Sequence, residues 1–184
     1  MAWKQLVQPN INTGATAGMC LEYVDNAINA TQRTYTAQIA HDTAKQKGWV
    51  RADNNYPRNV WFVMFWSIDN GEYKGLGHVA LAYVGNDGVL QIHDSEVHRG
   101  ARQPYASLEE VSNWFGSVGT KLTYLGWSEG VDNVKIIDEI KAETKTEIKK
   151  TDKKKEQLKI FGYPFFGNKD ESLNKNIFYK IDFG

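Results

Sequence analysis

Gly77-His78-Val79-Ala80-Leu81-Ala82-Tyr83-Val84-Gly85-Asn86-Asp87-Gly88-Val89-Leu90-Gln91-Ile92-His93-Asp94 is the stretch whose reading decides the fold. Two apolar runs flank Gly-Asn-Asp-Gly, a strong turn signal, and predict an antiparallel hairpin of His78 to Val84 with Val89 to Asp94. A three-residue loop, with Gly88 left-handed, pairs Gly85 with Val89. Counting back, His78 falls opposite Glu96, and Asp94 becomes its diagonal neighbour on the same face. A one-residue slip would turn both acids away. The register therefore puts two carboxylates within reach of one imidazole and does not choose between them.

Working outward, Val60-Trp61-Phe62-Val63-Met64-Phe65-Trp66 is too apolar to alternate and predicts a central strand buried on both faces. Thr123-Tyr124-Leu125-Gly126-Trp127 predicts a closing strand. Between hairpin and closing strand, Ser107-Leu108-Glu109-Glu110 has the form of a capping box, opening a short helix that stops at Gly116. On the N-terminal side, Leu21, Val24, Ala27 and Ile28 share one face of a helix starting near Cys20 and running to about Ala30. A second helix is expected from Thr36 to Lys47, with Gly48 at its C-terminal end. Residues 1–19, rich in Asn, Thr, Gly and Ala, read as loop. Helices followed by a run of strands predict an α+β fold with N-terminal helices packed on an antiparallel sheet.

The chain has 184 residues, enough for one ordinary domain with some length left over. Its formal charge is zero, so there is no global electrostatic case for nucleic acid or membrane as a partner. Aromatics are abundant, with six Trp, nine Tyr and eight Phe, which suits both a large sheet and a substrate groove. Trp61, Trp66 and Trp127 are the candidate groove residues. The start, Met1 to Pro9, lacks the apolar core of a signal peptide, and no segment approaches the ~18 apolar residues of a membrane span. The expectation is synthesis as a soluble cytoplasmic protein that another agent must release if its substrate lies outside the cell.

Composition shifts after Ile140. Residues 141–159 hold eight lysines and four acids with few apolar side chains, which reads as a solvated linker. Residues 160–184 hold two aromatic, strand-like runs, Ile160 to Gly167 and Asn176 to Phe183. Two strands are rarely stable alone, so the tail is expected to serve self-association or contact with a cell-wall polymer.

The chemistry gathers around Cys20, the only cysteine. Most lone cysteines are inert and buried. This one follows a turn-prone stretch and opens a helix, where free N–H groups and the helix dipole stabilise a thiolate. His78 is the candidate base, and Asp94, with Glu96 as the alternative acid, would orient the far ring nitrogen. The backbone N–H of Cys20 is a natural oxyanion donor, and a second is sought in Asn10 or Asn12. His93 should face away from Asp94 and read as structural, while His41 and His98 read as surface residues. The histidines and Cys20 lack the paired spacing of a zinc site, so no metal and no cofactor is expected.

Gly18-Met19-Cys20-Leu21-Glu22-Tyr23-Val24, then Gly77-His78-Val79-Ala80-Leu81, then an acid, resemble the CHAP family of cysteine, histidine-dependent amidohydrolases/peptidases. The resemblance covers roughly residues 3–136 and is greatest to the N-terminal catalytic domain of bacteriophage endolysins from Gram-positive hosts, extending to Tyr124-Leu125-Gly126-Trp127-Ser128. It implies a papain-like fold over a catalytic domain of residues 1–140. It also implies hydrolysis of an amide bond in peptidoglycan, with release by a holin-type partner. Cys20 matches the nucleophile, His78 the base and Asp94 the acid, where the family often has Glu. Met19 departs from the Gln that many members carry before the cysteine. Residues 1–19 contain no Asp or Glu, so the calcium site of some members is expected to be absent. The competing expectations are a non-enzymatic wall-binding protein and a thiol peptidase acting on other substrates.

Overall fold

The computed structural model describes residues 2–99 and 103–140. The expected linker at 141–159 and aromatic tail at 160–184 lie outside them. The core element is a five-stranded antiparallel sheet made of β2 (Val50–Arg51), β6 (Leu122–Ser128), β3 (Trp61–Ile68), β4 (His78–Val84) and β5 (Leu90–His93), in that spatial order. As the all-apolar run demands, β3 is central. Phe62 through Trp66 are almost wholly shielded from solvent, and each such side chain contributes roughly 1.5–3 kcal/mol by burial.

The β4–β5 hairpin has the register expected from its turn, with Leu81 opposite His93 and Val84 opposite Leu90. Gly88 has φ +79°, the left-handed geometry that closes the loop. Pairing stops at His93, and the strand does not continue to Asp94 as expected. Asp94 instead accepts the backbone N–H of Val97 at 2.8 Å and starts a short helix, α3 (Ser95–Arg99), which carries His98.

Helices α1 (Cys20–Ile28) and α2 (Ala37–Gln46) pack on this sheet, α1 against β4 and α2 against β3 and β4. α1 buries Leu21, Val24, Ala27 and Ile28 and ends two residues earlier than expected. Asn29 turns left-handed there, with φ 56°, and its N–H returns to the last carbonyls of the helix. α2 is capped by Thr36, whose hydroxyl accepts the N–H of Ile39 at 3.2 Å. α4 (Leu108–Ser117) is capped by Ser107, which accepts the N–H of Glu110 at 3.1 Å. Glu110 reaches back to the N–H of Ala106, one residue before the cap.

Three pairings escaped the sequence. β1 (Ala2–Gln5), in a stretch expected to be loop, pairs antiparallel with β9 (Ile137–Ile140). Its four residues carry too little pattern to announce a strand whose partner lies at the other end of the described chain. β2 is only two residues long and pairs with β6. β7 (Gly130–Val131) and β8 (Val134–Lys135) form a small hairpin. Among the described residues, no helix is long and apolar enough to cross a membrane.

Candidate active site

Cys20 is the first residue of α1 and is half-buried. Tyr23 N–H donates to the Met19 carbonyl at 3.0 Å, so the helix ladder begins there. No side chain caps this end, so the first N–H groups of the helix, that of Cys20 among them, receive no capping side chain. The preceding loop is tied down from the far side of the site, because Gly18 N–H donates to Glu96 Oε1 at 2.9 Å.

His78 opens β4 and is buried. Gly77 explains why a glycine precedes it. Its φ is +73°, and a Cβ there would lie 2.6 Å from the backbone nitrogen of Gln38 at the start of α2. The chain can enter β4 at this angle only without a side chain. His78 Nε2 meets Asp94 Oδ2 at 3.1 Å, and the ring lines the same cleft as Cys20, close enough to feel its charge. With Nε2 on the carboxylate, Nδ1 is the nitrogen left to face the thiol.

Burial works against charge on the His78 ring. The negative charge of Cys20, the Asp94 hydrogen bond and the Asp94 charge outweigh it and push the imidazole up to about 10. The arrangement favours the imidazolium form of His78. Phe115 lies 4.5 Å from the ring, centroid to centroid, and Trp66 lies 5.5 Å away, so apolar surfaces shield the His78–Asp94 bond from water. Nearby, Tyr23 donates its hydroxyl to the Ile11 carbonyl at 3.0 Å. Burial, then the Asp94 charge, raise its phenol above the usual range, so it stays neutral.

The two acids left open by the register have separate partners here: Asp94 takes His78, and Glu96 takes the loop before Cys20. Asn10 and Asn12 form a turn with each other and stand outside the cleft, so neither is placed to supply the second oxyanion donor. The groove expected from Trp61, Trp66 and Trp127 is also corrected. Trp66 and Trp127 are only 1% exposed and belong to the core, while half-buried Trp61 packs on Tyr83 and His93. A strand tryptophan facing inward is core before it is groove. The cleft beside Cys20 has a volume of about 600 Å³ and is walled by Tyr73, Leu76, Trp114, Phe115 and Val118. The end of α4 was legible in sequence, but nothing in its pattern said that it would cover His78.

His93 is buried against Trp61, consistent with a structural place. His41, expected on the surface, is 6% exposed, with its ring edge on Phe65 and Nδ1 2.8 Å from Asp42. Its position on the inner face of α2, in line with Ala37, Ala40 and Ala44, accounts for this. Among the described residues, no group of three or more His, Cys, Asp or Glu side chains is placed to hold a metal ion. Comparison with protein-family models, with curated proteins and with solved structures finds no match.

Proposed function

We propose that this chain is a cysteine-dependent amide hydrolase of the CHAP type, acting on peptidoglycan as a phage lysin does. The observation that carries the chemistry is that Cys20 and His78 line one cleft, with His78 Nε2 held 3.1 Å from Asp94 Oδ2 behind it. A helix bearing the thiol, packed on an antiparallel sheet bearing the histidine, supports the papain-like reading of the fold. The wall substrate rests on the resemblance of the Gly18–Val24 and Gly77–Leu81 segments.

In the reaction, Cys20 Sγ attacks the amide carbonyl carbon, and the oxyanion that forms accepts the N–H of Cys20 at the helix start. The His78 imidazolium gives its Nδ1 proton to the amine nitrogen as the C–N bond breaks, leaving an acyl thioester. Water then loses a proton to Nδ1 as its oxygen attacks the thioester, and collapse releases the carboxylic acid and the thiolate. Asp94 holds the Nε2 proton throughout, fixing the ring and stabilising its charge.

Cys20→Ser is expected to abolish clearing of a Gram-positive wall suspension while the melting temperature stays near that of wild type. His78→Ala should be equally damaging, with losses of at least about a thousandfold, because nucleophile and base act as a unit. Lysis within tenfold of wild type in either variant would overturn the thiol mechanism.

A further inference from the structure

Two walls of the cleft beside Cys20 come from different parts of the chain. Tyr73 and Leu76 lie on the loop between β3 and β4, while Val118 and Thr120 lie just past the end of α4. The first loop is fastened to its surroundings by its own backbone. Gly75 N–H donates to the Ile68 carbonyl, and Gln38 N–H of α2 donates to the Leu76 carbonyl, both at 2.9 Å. Fastening of the second loop to the first is completed by one side chain. Asn70 Nδ2 donates to the Gly119 carbonyl at 3.0 Å, and Asn70 Oδ1 accepts the N–H of Lys121 at 2.6 Å. Those two backbone groups flank Thr120, so the carboxamide fills both hydrogen-bonding positions that a neighbouring strand would fill. The β3–β6 register runs out at Ile68 opposite Leu122, and Asp69 N–H adds one bond to the Lys121 carbonyl at 2.9 Å. Asn70 carries the pairing one step further with its side chain, just before the left-handed turn at Gly71, φ +70°.

We propose that Asn70 is a positioning residue for this site, whose carboxamide sets the place of the Val118–Thr120 wall and through it the hold on the substrate. The inference rests on the hydrolase reading of the cleft. Asn70 is not among the described residues that line the cleft, and Cys20, His78 and Asp94 stand on α1, β4 and the turn after β5. Loss of the carboxamide therefore leaves the reacting groups where they are and loosens the surface that the substrate lies against. Aspartate has the same length, but it keeps only the acceptor for Lys121 and lacks the donor for Gly119.

Asn70→Ala and Asn70→Asp in the full-length chain test this. Turnover of a soluble fragment of Gram-positive wall should show KM raised at least about fivefold in the alanine variant, with kcat within about twofold of wild type. The aspartate variant should raise KM by less. Hydrogen exchange at the Lys121 amide needs no substrate. In the alanine variant it should quicken by about tenfold, the size of one lost hydrogen bond, while the amides of β4 keep their wild-type rates. The proposal is overturned by a fall in kcat at unchanged KM, by a KM within twofold of wild type, or by the two variants ranking in reverse. Exchange at Lys121 that stays at the wild-type rate also overturns it. If exchange quickens as expected but the unsubstituted protein hydrolyses no wall fragment, the clamp on the wall stands and the hydrolase reading fails.

Discussion

Helix α1 carries two buried electrostatic clusters built on opposite principles. At its start, Cys20 and Asp94 both act on His78 and favour the charged form of its ring. Further along, buried Asp25 lies close enough to Asp132, in the β7–β8 turn, for each carboxyl group to feel the other's charge. Asp132 also accepts the N–H and hydroxyl of Thr34, both at 2.9 Å. Two buried carboxyl groups so placed repel unless one keeps its proton. Burial first, then the Asp132 charge, push Asp25 up to about 7, while Arg33, 4.0 Å away, is too distant to reverse this. The lesson is that burial alone does not set an ionisation state. Near neutral pH the His78 ring holds its charge, whereas Asp25 is about to gain one that its surroundings oppose.

The largest effect that would break this contrast is at the acid of the first cluster. Asp94→Asn is expected to lower kcat/KM by about a hundredfold or more, since the ring loses both its orientation and its counter-charge. Initial rates on wall fragments check this, and a loss below fivefold would show that Asp94 does not serve His78.

The pH profile sharpens the same point. With His78 raised to about 10, the alkaline fall in kcat/KM should lie well above the 6.5 of an ordinary imidazole. A fall near pH 7 would mean that the ion pair does not form.

The second cluster is read through stability. Asp25 binds its proton more tightly folded than unfolded, since its ordinary value is 3.8 and its folded value about 7. The stabilisation is therefore complete below about pH 4 and is lost as pH rises through 7. Melting temperature should fall across that window. Asp25→Asn should flatten the fall and gain about 1–3 kcal/mol at pH 8, because an amide brings no charge beside Asp132. A wild-type curve that rises from pH 4 to 7 would show that Asp25 does not keep its proton on folding.

Glu96→Gln should do least. Its hydrogen bond from the Gly18 N–H is one that an amide oxygen also accepts, so activity should change by less than about threefold. A loss matching that of Asp94→Asn would move the orienting role to Glu96.

Sequence alone determined the hairpin and much of what surrounds it. Turn chemistry at Asn86-Asp87-Gly88 sets the pairing, and pairing with a period of two sets which residues share a face. The central place of β3, the caps at Thr36 and Ser107, and the position of Cys20 at a helix start follow from equally local rules. Tertiary structure decided the choice between Asp94 and Glu96, because Asp94 ends the strand by capping α3 and so swings Glu96 onto the Gly18 loop. It also decided the walls of the cleft, which come from α4 and the loop before β4, and it turned His41, Trp66 and Trp127 inward. The Asp25–Asp132 pair and the β1–β9 pairing likewise join distant segments. Local sequence records the geometry that hydrogen bonds impose over a few residues. Which distant surfaces exclude water from one another is settled only when the whole core closes.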